Sequence, residues 1–261
     1  MKKIIVLLIC SLIFAGILAG CSGTETPYAA WADKETLTYS VADASGADRG
    51  EMTVVTVRNP SDKTVGGQEY SSADGRTDIT LTFDGITEKV TILMKKFSAV
   101  AYSSEKTLAD GSTETVTGYY SGKYFYYSEN GGAEQKLKVG SSAYLPGEFL
   151  YNFVRCYPLE STPASMKIAD IKEKRVATLT TTLYGRTTLT VPYPDGSKEV
   201  SCYAIAIGLA ESPQGKPIYA LYTPDSADYN VSGLSISPSK KIPVKMIEND
   251  ITYTLTAIEV M

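Results

Sequence analysis

Residues 79–94 read ITLTFDGITEKVTILM, and this stretch decides the fold class. Ile79, Leu81 and Phe83 alternate with Thr80 and Thr82. Asp84-Gly85 interrupts the run, and Val90, Ile92 and Met94 then repeat every second residue. A period of two, rich in Thr, Ile and Val, is the mark of a half-buried antiparallel strand. An Asp-Gly pair between two such runs suits the positive φ of a hairpin turn.

The same pattern extends outward in both directions. Leu37, Tyr39 and Val41 alternate with Thr36, Thr38 and Ser40, and Ile251, Tyr253, Leu255 and Ala257 alternate with Thr252, Thr254 and Thr256. Asp74-Gly75, Asp110-Gly111, Asp195-Gly196 and Asn130-Gly131-Gly132 supply further expected turns. The contexts ADGRTD, ADGSTE and PDGSKE reuse one turn chemistry, and no repeat-protein period is present. One segment reads as helix. In GEFLYNFVRCY, residues 147–157, Phe149, Leu150, Phe153, Val154 and Tyr157 recur at helical spacing, and Pro158 stops the run. The expected fold is all-β: a curved antiparallel sheet, as an incomplete barrel or a sandwich, with one short helix in a single domain over residues 34–261.

Residues 118–127, GYYSGKYFYY, place six aromatic side chains around a turn at Ser121-Gly122 or Gly122-Lys123. Either turn puts Val116, Tyr120, Phe125 and Tyr127 on one face, and Thr117, Tyr119, Tyr124 and Tyr126 on the other. The second face is either a plain cross-strand tyrosine ladder, which the abundance of tyrosine in this chain and its strand preference favour, or the candidate surface for a ligand or partner, since tyrosine joins an apolar body to a polar tip.

Lys2 and Lys3 precede the uncharged run IIVLLICSLIFAGIL, residues 4–18. The run suits a signal-peptide core and is short for a membrane span. It ends in Leu18-Ala19-Gly20-Cys21, which resembles a bacterial lipobox at all four positions. That resemblance implies a diacylglyceryl group on the Cys21 thiol and cleavage before Cys21. Residues 1–20 would then be a lipoprotein signal peptide, and residues 21–33 a lipidated tether carrying Trp31. Two or more acyl chains anchor durably where one does not. The alternative is an uncleaved membrane helix. With Ser22, rather than Asp, after the cysteine, a Gram-negative host would sort the protein to the outer membrane. In a Gram-positive host it would stay on the cell membrane. Either way the location is the extracytoplasmic side of the bacterial envelope.

Lys and Arg number 25 against 29 Asp and Glu, and loss of Lys2 and Lys3 leaves a mature net charge of about −6. An acidic chain is a poor match for nucleic acid or for an anionic bilayer surface, so anchoring falls to the lipid. The chain contains no histidine. That excludes Ser-His-Asp and Cys-His catalysis and His-ligated zinc. With Cys10 in the leader and Cys21 lipidated, Cys156 and Cys202 remain, too few for a four-thiolate metal site. They form a candidate disulfide, or else two buried thiols. A strand over 199–209 carries Tyr203, Ile205, Ile207 and Leu209 on one side. Cys202, Ala204 and Ala206 lie on the other, where the helix can pack closely and bring Cys156 near. No phosphate loop or calcium loop is present, and no metal or cofactor is expected. Two Ser-x-x-Lys spacings occur, Ser103 to Lys106 and Ser237 to Lys240, without the companion motifs of the penicillin-binding enzymes.

From Glu35 to Val260 the layout resembles uncharacterised extracytoplasmic β-proteins similar in architecture to the LolA/LolB lipoprotein carriers. The resemblance is carried by the first strand Glu35-Thr36-Leu37-Thr38-Tyr39-Ser40 and by the helix region Leu145-Pro146-Gly147-Glu148-Phe149-Leu150. The long hairpin around 176–191, Tyr219-Ala220-Leu221-Tyr222 and Ile242-Pro243-Val244-Lys245 complete it. It implies a curved sheet around an apolar cavity for acyl chains. Three functions follow: a non-catalytic module holding an apolar or amphiphilic ligand, an interaction lipoprotein contacting another envelope protein, and a glycan-active enzyme using paired carboxylates. An apolar concavity favours the first, and a filled interior with an exposed aromatic patch favours the second. Two carboxylates facing across a cleft favour the third.

Overall fold

The computed structural model describes residues 33–96, 98–140, 143–144, 165–171, 173–193, 195–210, 217–224 and 242–261. The first half of the chain is a meander of β1 (Lys34–Ala42), β2 (Asp48–Arg58), β5 (Gly75–Phe83), β6 (Ile86–Lys95), β7 (Ser98–Thr107), β8 (Thr113–Ser121), β9 (Tyr124–Glu129) and β10 (Gln135–Lys138). Between β2 and β5 a small flap forms from β3 (Thr64–Val65) and β4 (Gln68–Glu69). The second half contains β11 (Ala143–Tyr144), β12 (Ser165–Asp170), β13 (Arg175–Tyr193), β14 (Gly196–Leu209), β15 (Tyr219–Pro224), β16 (Lys245–Glu248) and β17 (Ile251–Val260).

All but the flap strands join one fifteen-stranded sheet in the order β10-β9-β8-β7-β6-β5-β2-β1-β17-β16-β15-β14-β13-β12-β11. The two halves are zipped together by the first and last strands, with Glu35 opposite Val260 and Val41 opposite Tyr253. Every pairing is antiparallel except β11 with β12. The sheet curls until its edges, β10 and β11, leave a seam without ladder hydrogen bonds. Lys174, in the β12–β13 turn, reaches across it, its Nζ 2.9 Å from Gln135 Oε1 on β10. The architecture is therefore a nearly closed, all-β barrel with an unsealed seam. β13 also comes back within 8 Å, Cα to Cα, of β17, although β14, β15 and β16 lie between them in the ladder.

Period two explains the inside. Leu37, Tyr39 and Val41 of β1, Met52 and Val54 of β2, and Val90 and Ile92 of β6 are buried, while their Thr, Ser and Lys neighbours face outward. Tyr39, Ile92, Phe125, Leu179, Ile205 and Ile207 are fully enclosed. The buried apolar residues of both halves form one continuous cluster. On the outer wall the flap makes a second, smaller core, Val65 and Ala73 covering Leu93 and Ala101. Arg76 ties the flap down, with Nη1 2.6 Å from Asp62 and two bonds of 2.7 and 2.9 Å to Asp78.

Most expected turns are present. Asp84 and Gly85 have φ of 49° and 79°, Asn130 and Gly131 of 51° and 68°, and Gly111 of 84°. The long hairpin of β13 and β14 turns just before Gly196, which at φ 137° already pairs with Tyr193. Asp74-Gly75 is a correction. Gly75 already pairs with Met94, and the Asp74 N–H donates to the Met94 carbonyl, so the pair opens a strand instead of turning a hairpin. Asn249-Asp250, with φ of 49° and 68°, turns between β16 and β17 without glycine, since Asn and Asp tolerate that region. The helix expected over 147–157 lies outside the described residues.

Candidate functional site

The tyrosine hairpin is laid out as the alternation requires. Ser121 pairs with Tyr124 across Gly122-Lys123, with Gly122 at φ 61°. Phe125 and Tyr127 enter the core and Tyr120 packs against it. Phe125 stacks on Tyr127 at 5.8 Å and meets Tyr102 edge-on at 6.4 Å. Gly118 is required beneath that ring, because a Cβ there would lie 2.5 Å from Phe125 Cζ.

Tyr119, Tyr124 and Tyr126 come together on the outer face. Tyr119 and Tyr126 are directly opposed and stack at 5.3 Å with an 11° interplanar angle, and Tyr124 lies 6.1 Å from Tyr126. All three are half-buried. Lys136 Nζ sits 5.4 Å over the Tyr124 ring, and Tyr119 Oη donates to Glu134 Oε2 at 3.2 Å. Partial burial and then the Glu134 carboxylate raise the Tyr119 hydroxyl above its ordinary pKa. Tyr70 of the loop joining the flap to β5 lies near enough to feel Tyr119, so the ladder borders the flap core.

A second cluster, which the sequence did not single out, lies inside one end of the barrel. Tyr219 and Glu248 are paired across β15 and β16 and hydrogen-bonded. Burial pushes Glu248 up from the usual carboxylate range, opposed by the Tyr219 bond. Glu88 on β6 raises both Glu248 and Tyr253, although four strands separate β6 from β16 in the ladder. Glu88 alternates with the buried Val90 and Ile92, and Glu248 with the buried Met246, so both carboxyl groups lie on the inward side of their strands. Burial, then Glu248 and Glu88, push Tyr253 up to about 12. Sequence reading missed the pair because its members are 160 residues apart and neither sits in a motif.

The other expected residues separate. Ser103 and Lys106 are on β7, where residues three apart point to opposite faces, so the serine and lysine cannot meet as they would on a helix. Ser237 to Lys240 lies outside the described residues, as do Cys21 and Cys156. Cys202 is fully buried, and desolvation pushes its thiol up to about 12. Ala206, four residues on, is also buried, while Ala204 between them is half-buried. Among the described residues no cluster of three His, Cys, Asp or Glu side chains is placed to hold a metal. An open, polar groove of about 550 Å³ lies on the outer wall, lined by Ser40, Asp48, Gly50, Glu51, Thr82 and Thr256.

No family model matches the chain, and no curated protein matches it. Among solved structures, the crystal structure of a β-barrel-like protein of domain of unknown function DUF1849 from Brucella abortus is similar. It superposes with a TM-score of 0.52 at 11% identity, covering 89% of this chain and 99% of that one. At that identity the likeness shows the fold alone: this chain has a β-barrel-like architecture.

Proposed function

We propose that this protein is a lipid-anchored binding module of the bacterial envelope that works through its outer wall, contacting another envelope protein along the Tyr119, Tyr124 and Tyr126 ladder. The observation that carries this reading is the division of the hairpin. Its inner aromatics complete a packed core, while three tyrosines with polar tips remain partly open on the other side. Among the described residues the buried side chains form one continuous cluster, which favours an outer contact face over an enclosed pocket for an acyl chain, and Tyr is a residue type enriched at interfaces. The lipid anchor at Cys21 rests on the lipobox resemblance, and the absence of histidine removes the commonest catalytic groups.

The test is site-specific photo-cross-linking in living cells from position 119 or 126, with Thr252 on the outer wall as control. A discrete protein adduct from the ladder, lost in Tyr124→Ala and missing from the control, supports the reading. A co-purifying lipid in native mass spectrometry of the intact protein, with no ladder adduct, replaces it with the carrier-like alternative. The inward carboxyl groups of Glu88 and Glu248 favour one further reading, an acid–base enzyme acting on envelope glycans. Glycan turnover abolished by Glu248→Gln and by Glu88→Gln would establish that instead.

A further inference from the structure

In one sector of the barrel the up-and-down topology places turn charges of opposite sign at the two ends. In the sector from β6 to β10, one end carries the β5–β6, β7–β8 and β9–β10 turns, with Asp84, Asp110 and Glu134, and Glu129 at the end of β9. The opposite end carries the β6–β7 and β8–β9 turns and the end of β10. There stand Lys95, Lys96, Lys123 and Lys138, all exposed. Asp74 beside this end has its carboxylate on the Lys96 N–H, 3.2 Å from each oxygen. The chain enters β1 at this same basic end, since Lys34 pairs near Val57 and the strand runs toward Ala42 at the acidic end. From Cys21 to Asp33 the tether reaches at most about 40 Å even fully extended.

We infer that the end of the barrel formed by Lys95, Lys96, Lys123 and Lys138 rests on an anionic lipid surface, with the phosphodiester headgroups as its ligand. Charge complementarity selects the occupant, and the tether delivers this end to the bilayer. In that orientation the tyrosine ladder, on the barrel flank, faces sideways toward neighbours in the same membrane. The net charge of the chain conceals the surface because it averages the two ends. The inference goes beyond the outer-wall reading and shares with it only the tether.

The experiment uses the full lipidated chain with vesicles of phosphatidylcholine alone, and of phosphatidylcholine with phosphatidylglycerol. Amine acetylation read by mass spectrometry compares Lys95, Lys96, Lys123 and Lys138 with Lys89, Lys106 and Lys174 toward the acidic end. Protection of the first group by several-fold on phosphatidylglycerol vesicles, weakened by salt, is the expected result. Each basic side chain near such a surface is worth roughly fivefold in binding. Lys95→Glu/Lys123→Glu/Lys138→Glu, in exposed positions that leave the core intact, should abolish the protection remaining at Lys96. Equal labelling of both groups on phosphatidylglycerol, or protection of the acidic-end group, overturns the inference. Flotation with phosphatidylcholine alone reports the anchor separately. A chain that floats there but shows no protection on phosphatidylglycerol keeps its anchor and loses the basic face. A chain that floats and is protected only on phosphatidylglycerol keeps the face and loses the anchor. Flotation with neither overturns both.

Discussion

Replacing Gly118 by alanine tests the packing of the tyrosine hairpin directly. Gly118 is not among the positive-φ glycines, so its backbone suits any residue, and a glycine-to-alanine change there should by itself stabilise by about 0.4–1 kcal/mol through the unfolded chain. Sterics point the other way. The new Cβ would lie 2.5 Å from Phe125 Cζ, 2.5 Å from the Tyr126 carbonyl oxygen and 2.9 Å from Phe125 Cε2. Phe125 is fully buried and stacked on Tyr127, so its ring has nowhere to retreat, and the carbonyl belongs to the ladder with β8. Overpacking of this kind costs about 1–3 kcal/mol. The net expectation is a loss of about 1–2 kcal/mol, or roughly 2–8 °C in Tm for a domain of this size. Urea unfolding followed by far-ultraviolet circular dichroism would read it as a lower midpoint with an unchanged slope. Phe125→Leu introduced beside Gly118→Ala should cost less than the two changes summed, because the ring contact disappears, but the carbonyl contact keeps the relief partial. Stability of Gly118→Ala equal to or above the parent would refute the account.

Three further outcomes follow from the same geometry. A double-mutant cycle on Tyr119→Ala and Tyr126→Ala should give a coupling of about 0.5–1.5 kcal/mol for the stacked pair, and additive losses would show that the rings stand independently. Glu248, raised by burial, keeps its proton in the folded state at pH values where the unfolded chain has already lost it. The stability it contributes is complete below the unfolded pKa and falls as pH rises through the folded one. Glu248→Gln should therefore be more stable than the parent at neutral pH, with the difference closing toward pH 4. A difference that widens on acidification would contradict the burial argument. Cys202, with its thiol pushed up to about 12, should resist a thiol reagent at neutral pH until denaturant is added. In unreduced denaturant, two reactive thiols from Cys156 and Cys202 would rule out the disulfide, and none would establish it.

The strands were legible because a strand is written locally. Ile79, Leu81 and Val90 declare their buried face by spacing alone, and Asp84-Gly85 declares the turn between them. The two faces of the β8–β9 hairpin followed from the same rule, down to Tyr119 opposite Tyr126. Asp74-Gly75 misled because a dipeptide reports only a permitted backbone. Whether it turns the chain or opens a strand depends on the partner, here Met94, which lies outside any local window.

What the sequence by itself determined is the all-β class, the alternation that assigns each side chain a face, and the chemistry excluded by a chain without histidine. Only the tertiary structure decided that Lys34–Ala42 pairs with Ile251–Val260 to join the two meanders. It alone brought Glu88 close enough to influence Glu248 from four strands away, and gathered Lys95, Lys96, Lys123 and Lys138 at one end. The reason is physical. Periodicity and turn propensity are short-range properties of the chain, whereas strand order and charge segregation arise from long-range pairing. Burial of one continuous apolar face selects that pairing from the many that local patterns permit.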